Sequence, residues 1–195
     1  CSGLVGSEMC IRDSTQVVVI GGGVVGASVL YHLTKLGWTD VVLLERTEYT
    51  AGSTWHSAGG MHTLNGDPNV AKLQQYTITL YEEIEKESGM DASMHITGGV
   101  MLADTPERMD WLKMSHARGR YLGMETELIS AEEAQELLPI LDPQYFVGAM
   151  WDAHEGHLDP SQITHAYLEC ARNRGAETHR HSWVRDITRA ADGGW

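Results

Sequence analysis

The chain has 195 residues, of which 42% are hydrophobic and 21% are charged, and its formal net charge is −13. These values are ordinary for a soluble globular protein of one domain, or one and a fraction. An acidic surface without a basic patch repels phosphate backbones, so a nucleic-acid partner is excluded. The longest uncharged run, residues 14–31, is interrupted by Gly21-Gly22-Gly23, which argues against a membrane span.

Both ends of the chain look abrupt. Residues 1–14, CSGLVGSEMCIRDS, have no periodicity and no initiating Met, and we interpret them as a non-native leader. The chain ends on a turn signal, RAADGGW, and we interpret the whole as an N-terminal fragment of a longer protein. The spacing of Cys1, Cys10 and Cys170 fits neither a disulfide framework nor a zinc site, and we expect Cys170 to be buried on a helix face.

The first elements predict a βαβ unit. Residues 16–20 are a β-branched run typical of a buried strand, and residues 41–44 are a second such run. Between them the pattern is helical from 24 to 36, and Gly37 follows as the residue that ends the helix. The apolar positions at helical spacing are Val25, Val29, Leu33 and Leu36.

A glycine-rich loop, residues 51–60, precedes a mixed helical and extended region. The predicted elements are a helix from Asp67-Pro68 to Gly89, a strand at 94–103, a helix from Thr105-Pro106 to Gly123, a helix from Ser130 to Pro139 with a capping box, a strand at 147–151, a helix from Asp159-Pro160 to Gly175, and strand–turn–strand over 176–195. The helix that starts at Asp67-Pro68 has a predicted core face made of Val70, Leu73, Ile78, Tyr81 and Ile84.

The turn between the first strand and helix carries the spacing of a dinucleotide site. Gly21 permits the tight turn, Gly23 lets the backbone approach a pyrophosphate, and Gly26 lets helix and strand pack closely. The helix N-terminus offers N–H groups to the phosphates. Glu45 ends the second strand, where a carboxylate accepts hydrogen bonds from a ribose and disfavours NADP. These residues alone do not distinguish NAD from FAD.

Four stretches carry a family resemblance: VVVIGGGVVGASVLYHL, VVLLER, TAGSTWHSAGG and EGHLDPSQITHAYLECARNRGAE. Together they resemble the FAD-dependent amine oxidoreductases of the D-amino-acid oxidase superfamily, with the nearest likeness to dimethylglycine and sarcosine dehydrogenases. The likeness runs from about Gln16 to the end of the chain. The glycine motif is shared by the whole superfamily, whereas the Ser-Thr-Trp-His stretch is more specific.

The resemblance implies that His56 holds the flavin covalently, through a ring nitrogen bonded to the 8α carbon. The small neighbours of His56 let the flavin edge come close, and Trp55 would wall the site. The alternative is a loop histidine bonded to backbone with FAD held non-covalently, and His62 is a second candidate nearby. The other cofactor contacts implied by the resemblance are Arg46, Gly52, Ser53, Thr54, Gly59, Gly60 and Val184, the last with a plain strand residue as the alternative.

The expected fold is α/β: a Rossmann-like FAD/NAD(P)-binding domain with the start of an inserted α+β substrate domain. After the leader, residues 15–61 would form the FAD-binding βαβ unit and flavin loop. Residues 62–155 would begin the substrate domain, and residues 156–195 would return to the FAD-binding domain.

The implied activity is oxidation of the N-methyl C–N bond of a small amino acid of the dimethylglycine or sarcosine type, by hydride transfer to flavin. The implied partners are a small amine or N-methyl amino-acid substrate and an electron-transfer flavoprotein, with neither nucleic acid nor membrane. The expected compartment is the cytoplasm, with the mitochondrial matrix as the alternative. The other candidate functions are an NAD-dependent Rossmann dehydrogenase and a non-catalytic nucleotide-binding fragment.

The remaining histidines do not predict a metal site. The stretch DAHEGHLD, residues 152–159, has H-x-x-H spacing, but Gly156 and Pro160 favour a polar loop over a zinc-binding helix. His179 and His181 alternate on a predicted strand and are expected at the surface. No catalytic acid or base is assigned from the sequence.

Overall fold

A computed structural model describes residues 14–65, 67–191 and 193–195. The predicted leader therefore lies almost wholly outside the described residues. In chain order the elements are β1 (Val17–Ile20), α1 (Val24–Lys35), β2 (Val41–Leu44), β3 (Gly60–Met61), α2 (Pro68–Ser88), β4 (Gly99–Ala103), α3 (Pro106–Tyr121), β5 (Thr126–Ile129), α4 (Ala131–Leu137), β6 (Gly148–Asp152), β7 (Gly156–His157), α5 (Pro160–Asn173) and β8 (Glu177–His179).

The chain divides into two compact units. Unit 1 contains the described residues up to Ser53 together with Tyr167–Trp195, and unit 2 contains Thr54–Ala166. The domain boundaries expected from the sequence, at 61/62 and 155/156, stay a prediction.

Unit 1 is built on a parallel three-stranded sheet with strand order β1–β2–β8. The strand–helix–strand run β1–α1–β2 is the expected βαβ unit, because adjacent parallel strands require a crossover connection. Tyr31 of α1 is fully buried and meets Tyr167 of α5 edge-to-face, with ring centroids 5.3 Å apart. Cys170 is buried in the same unit, as predicted. The α/β fold class is confirmed.

The buried face of α1 differs from the face predicted by apolar spacing. Val25 and Leu36 are 75% and 78% exposed, whereas the residues that α1 buries are Ala27, Leu30, Tyr31 and Thr34. The close contact at the start of the helix explains the difference, because Gly26 packs against the carbonyl of Gly21 and so fixes which face of α1 turns inward. The hydroxyl of Thr34 is satisfied inside the helix by the carbonyl of Tyr31.

Unit 2 contains an antiparallel three-stranded sheet with order β4–β6–β5 and a separate two-stranded pair, β3–β7. Its core includes the buried side chains Ala103, Leu112 and Met150, with Leu64, Met101 and Met109 packed against them. The predicted helix caps are confirmed: Asp67 accepts from the backbone N–H groups of two first-turn residues, and Ser130 and Glu133 form a capping box.

Several predicted elements need correction. The strand expected at 94–103 begins only at Gly99, because Gly98 has φ +75° and breaks the extended run. In α2, Val70 and Leu73 are exposed, whereas Ile84 of the predicted core face is buried beside Ala71 and Leu80.

The C-terminal segment also departs from the predicted strand–turn–strand. Within 176–191 and 193–195, β8 is the only strand. His181 has φ +54°, which ends the extended run, so Val184 does not lie in a strand. His179 is buried, contrary to its predicted surface position, and only His181 is exposed.

Within the described ranges, none of the helices is long and apolar enough to cross a membrane.

Candidate cofactor site and adjoining loop

The turn from β1 to α1 is closed by backbone contacts that require glycine. Gly21 has φ +108°, a region that side chains disfavour, and its N–H donates to the carbonyl of Leu44 at 2.9 Å. A Cβ on Gly26 would lie only 1.9 Å from the carbonyl oxygen of Gly21. Gly23 is the N-cap of α1, and no described side chain caps the helix there. The helix N-terminus therefore presents backbone N–H groups rather than a capping side chain.

Gly22 has a role that the motif does not specify. A Cβ there would lie 2.6 Å from Cδ1 of Tyr49 and 3.0 Å from Cβ of Glu45. Its carbonyl also accepts from the N–H of Thr50 at 3.0 Å. The turn is thus enclosed by the chain that follows β2. The only sequence signal for this contact was the uninterrupted run of three glycines.

Glu45 lies at the end of β2, beside the glycine turn. Its carboxylate accepts from the N–H of Gly22 at 2.7 Å and from the N–H of Thr47 at 2.8 Å. Partial burial opposes ionisation, but these two N–H groups, the hydroxyl of Thr47 and the charge of Arg46 outweigh it and lower the pKa of Glu45. Glu45 is therefore held as a carboxylate, an acceptor-only group suited to hydroxyl donors such as those of a ribose.

The segment after β8 returns to the end of β2, where Glu45 lies. The N–H of Ser182 donates to the carbonyl of Glu45 at 2.8 Å, and the N–H of His181 donates to the carbonyl of Thr47. Val184, two residues further on, is half-buried, and Arg46 is exposed. The structure thus brings Glu45 together with the segment that carries Val184, although the two are far apart in sequence.

The loop after β2 contains the predicted flavin contacts. Gly52 and Ser53 lie in exposed turns of unit 1. Thr54 begins unit 2 and is buried, in a single 3₁₀ turn, Thr54–His56. The exposed imidazole of His56 stacks against the Trp55 indole, with ring centroids 3.8 Å apart and planes tilted by 36°. Trp55 therefore lies against His56 itself.

Gly59 and Gly60 connect this turn to β3. Gly59 has φ +71°, and a Cβ there would come within 2.1 Å of the carbonyl oxygen of Leu158. The close approach of these two backbones is a structural reason for glycine at position 59 that the sequence did not reveal. Gly60 is exposed and lies beside the imidazole of His62.

The acidic stretch 152–159 is not an open polar loop. Asp152 ends β6 and Glu155 precedes β7, and both are buried. Among the described residues, no group of three or more His, Cys, Asp and Glu side chains is arranged to hold a metal ion.

A parallel βαβ unit with a tight glycine turn, an uncapped helix N-terminus and a carboxylate at the end of the second strand defines a dinucleotide-binding α/β protein. The particular family follows from comparison with known proteins. Residues 16–195 match the DAO family model, FAD dependent oxidoreductase. The chain belongs to this family, which excludes the NAD-dependent dehydrogenase considered from the sequence.

Two curated relatives match most of the chain. It is 39% identical over 184 residues to human mitochondrial dimethylglycine dehydrogenase, covering 94% of this chain and 21% of that protein. It is 34% identical over 173 residues to human mitochondrial sarcosine dehydrogenase, covering 88% of this chain and 19% of that protein. The chain thus spans about a fifth of the length of these relatives.

A solved structure is also similar. L-proline dehydrogenase from P. horikoshii superposes with a TM-score of 0.86 at 26% identity, over 93% of this chain and 48% of that one. The resemblance to dimethylglycine and sarcosine dehydrogenases that the motifs indicated is confirmed.

Proposed function

We propose that the protein to which this chain belongs oxidises the N-methyl C–N bond of a small amino acid of the dimethylglycine or sarcosine class. The observation that carries the proposal is the 39% identity to a dimethylglycine dehydrogenase over 94% of the chain, a span that includes both the glycine turn and the loop of His56. The family supplies the oxidant, because FAD accepts a hydride from carbon at flavin N5.

The described residues fit FAD at the dinucleotide end. The glycine turn leaves no room for side chains at positions 22 and 26, so the turn packs closely and keeps the backbone geometry that a pyrophosphate-binding turn needs. Gly21, Gly23 and the N-terminus of α1 would hold the pyrophosphate, and Glu45 would hold a ribose. Arg46 and Val184 would lie on the adenosine side.

The flavin end is proposed from the loop. Gly52, Ser53, Thr54, Gly59 and Gly60 would contact the isoalloxazine, and His56 would carry it covalently. Exposure of the imidazole and its stacking on Trp55 support this role, since a ring nitrogen must be accessible to form the bond.

The proposed covalent bond between His56 and the flavin can be tested by mass spectrometry. Full-length protein would be precipitated with acid, washed and digested, and the peptide spanning residues 54–57 examined for flavin mass and fluorescence. We expect flavin on His56, loss of acid-stable flavin in His56→Ala, and retention in His62→Ala. Flavin released entirely to the acid supernatant would contradict the covalent assignment while leaving the FAD site intact.

The activity can be tested by anaerobic mixing of the full-length flavoprotein with dimethylglycine or sarcosine. We expect bleaching of the flavin absorbance and, on turnover, release of formaldehyde. Reoxidation by an electron-transfer flavoprotein, faster than by oxygen, would support that partner. A flavin that no N-methyl amino acid reduces would contradict the proposal and favour the non-catalytic alternative.

The location of the relatives bears on the compartment. Both dehydrogenases are described as mitochondrial, which favours the mitochondrial alternative over the cytoplasmic expectation. Fractionation of the source cells would test this.

A further inference from the structure

A histidine and a buried carboxylate form a pair in unit 2 that the flavin site does not use. Nδ1 of His62 lies 3.1 Å from Oε2 of Glu155. The Glu155 side chain is 6% exposed, whereas that of His62 is 60% exposed. The pair therefore runs from the interior of the unit to its surface, with the imidazole at the outer end.

The interior end of the pair is built for a carboxyl group. A Cβ on Gly99 would lie 2.1 Å from Oε2 of Glu155, so glycine at the start of β4 makes the space that the carboxyl occupies. The other oxygen of Glu155, Oε1, is buried and has no hydrogen-bond partner among the described residues. A buried, half-satisfied carboxyl is costly, and such groups need an explanation in function or in a missing ligand.

Burial favours the protonated form of Glu155. It raises the pKa of this carboxyl, and the carboxylate of Asp152 raises it further, whereas the hydrogen bond and charge of His62 and the backbone N–H of Thr63 lower it. His62 faces Glu155 from β3 and Asp152 faces it from β6, whereas Gly98 and Gly99 on the β4 side carry no charge. The hydrogen bond that one ring nitrogen makes fixes the orientation of an imidazole and the role of its other nitrogen.

Two contacts hold the segment that carries His62. His62 bonds Glu155, and the next residue, Thr63, donates its hydroxyl to the buried carboxylate of Asp152. The N–H of His154 donates to the other oxygen of Asp152 at 2.9 Å. Two consecutive residues after β3 thus contact the two acids Asp152 and Glu155, and the contact to Glu155 orients the ring of His62.

The second ring nitrogen of His62 lies beside Gly60. A Cβ on Gly60 would lie 3.4 Å from Nε2 of His62, so the imidazole lies alongside Gly60. Gly60 is four residues after His56 and belongs to the same unit. The pair therefore lies beside the segment that the proposed function assigns to the flavin.

We propose that His62, oriented by Glu155, is the base that removes the proton from the amine substrate before its oxidation. This inference rests on the proposed function. An N-methyl ammonium has no lone pair, so its N–CH₃ carbon cannot release a hydride to give a C=N bond. Transfer of the ammonium proton to Nε2 leaves a neutral amine and an imidazolium. The nitrogen lone pair would then be free to form the C=N bond, FAD would supply the hydride acceptor, and water would convert the iminium to formaldehyde and the demethylated amine.

The roles of the two residues differ. His62 would exchange the proton, whereas Glu155 is a positioning residue that holds Nδ1 and stabilises the imidazolium. General-base catalysis is worth on the order of 10²–10⁴-fold in rate. Loss of the imidazole should therefore lower the rate far more than it lowers substrate binding.

The test uses full-length, flavin-loaded protein and anaerobic single-turnover reduction by dimethylglycine between pH 6 and 10. Relative to wild type, we expect His62→Gln to reduce flavin about 10²-fold more slowly, with similar substrate affinity and with the acid limb of the pH profile moved up to the range where dimethylglycine itself loses its ammonium proton. Glu155→Gln should be intermediate and should move that limb. The matched control is His154→Gln, an exposed histidine on the same turn, which should behave as wild type.

Added imidazole provides a readout that a structural role would not move. It should restore part of the rate in His62→Ala, where it can occupy the vacated space, and have no effect on wild type. A wild-type rate and pH profile in His62→Gln would overturn the proposal. If His62→Gln loses its flavin, the Glu155→Gln variant provides the test, because it keeps the imidazole. An acid limb at the wild-type pH in Glu155→Gln would show that Glu155 does not act on His62. If wild type itself is not reduced by N-methyl amino acids, the proposed function fails, and this inference fails with it.

Discussion

At the scale of single residues, the cofactor site depends on positions where no side chain fits. Gly26 is the clearest case, because the atom that blocks a Cβ is the backbone oxygen of Gly21, which cannot move without opening the turn. Gly52 offers a contrast, since no heavy atom lies within 4 Å of a Cβ built there. The two glycines of the predicted site therefore differ in what they contribute to stability.

We expect Gly26→Ala to lower the free energy of unfolding by about 1–3 kcal/mol or more, as overpacking does, and to weaken FAD retention. Gly52→Ala should leave the unfolding free energy within about 0.5 kcal/mol of wild type. Denaturant titration of the full-length protein measures both. Equal stability of the two variants would show that the turn can open at little cost.

Glu45 is a second residue whose contribution can be measured. Its lowered pKa means that the folded state favours the carboxylate, so the stabilisation is present above the ordinary glutamate range and is lost as pH falls through the lowered pKa. We expect Glu45→Gln to be less stable than wild type at pH 7 and to show a smaller loss of stability on acidification. Thermal melts from pH 3 to 7 test this, with exposed Glu136→Gln as the control.

At the scale of elements, capping determines where the short helices begin. α4 has only seven residues, and it starts at a complete capping box in which Ser130 accepts from the N–H of Glu133 and Glu133 accepts from the N–H of Ser130. A helix of this length is marginal by itself, because helix nucleation is costly. The cap and the burial of Ala131 and Ala134 together hold it.

Removing the cap should loosen α4 locally. We expect Ser130→Ala to cost about 0.5–2 kcal/mol and to speed hydrogen exchange in the peptide covering residues 130–138. Glu136→Gln, in the same helix but outside the box, is the control and should leave exchange unchanged. Hydrogen exchange read by mass spectrometry measures both, and unchanged exchange in Ser130→Ala would mean that packing alone holds α4.

At the scale of the whole molecule, the chain is strongly acidic, and one buried acid, Glu155, makes the stability depend on pH. The pKa of Glu155 is raised, mainly by burial, so the folded state favours the protonated form. Stability contributed by this group is complete below the ordinary glutamate pKa and is lost as pH rises through the raised value. This direction is opposite to that of Glu45.

We expect Glu155→Gln to remove this loss, so that the variant gains stability relative to wild type as pH rises from 4 to 8. Denaturant midpoints at several pH values measure the difference, with His154→Gln as the control for changes in the same turn. A difference between Glu155→Gln and wild type that does not change with pH would show that Glu155 ionises as an ordinary exposed glutamate does.

Local sequence determined much of this protein. The β-branched runs, the glycine spacing and the Asp-Pro, Thr-Pro and Ser-x-x-Glu starts predicted β1, α1, β2 and the beginnings of α2, α3 and α4, because strand propensity, turn geometry and capping act between residues near in sequence. The motifs also indicated the family: the glycine spacing marks a dinucleotide turn, and the Ser-Thr-Trp-His stretch is the more specific part of the resemblance. The cofactor residues themselves stay predictions.

Only the tertiary structure decided which faces are buried and which distant groups meet. Val25 follows the helical period but is exposed, because the close contact at Gly26 turns the face that carries Ala27, Leu30 and Tyr31 inward. A side chain at Gly22 is excluded by Tyr49, and one at Gly59 is excluded by Leu158. His62 contacts Glu155, which lies 93 residues further along the chain. Contacts between residues so far apart depend on strand register and on steric fit between separate elements, and no local pattern encodes either of them.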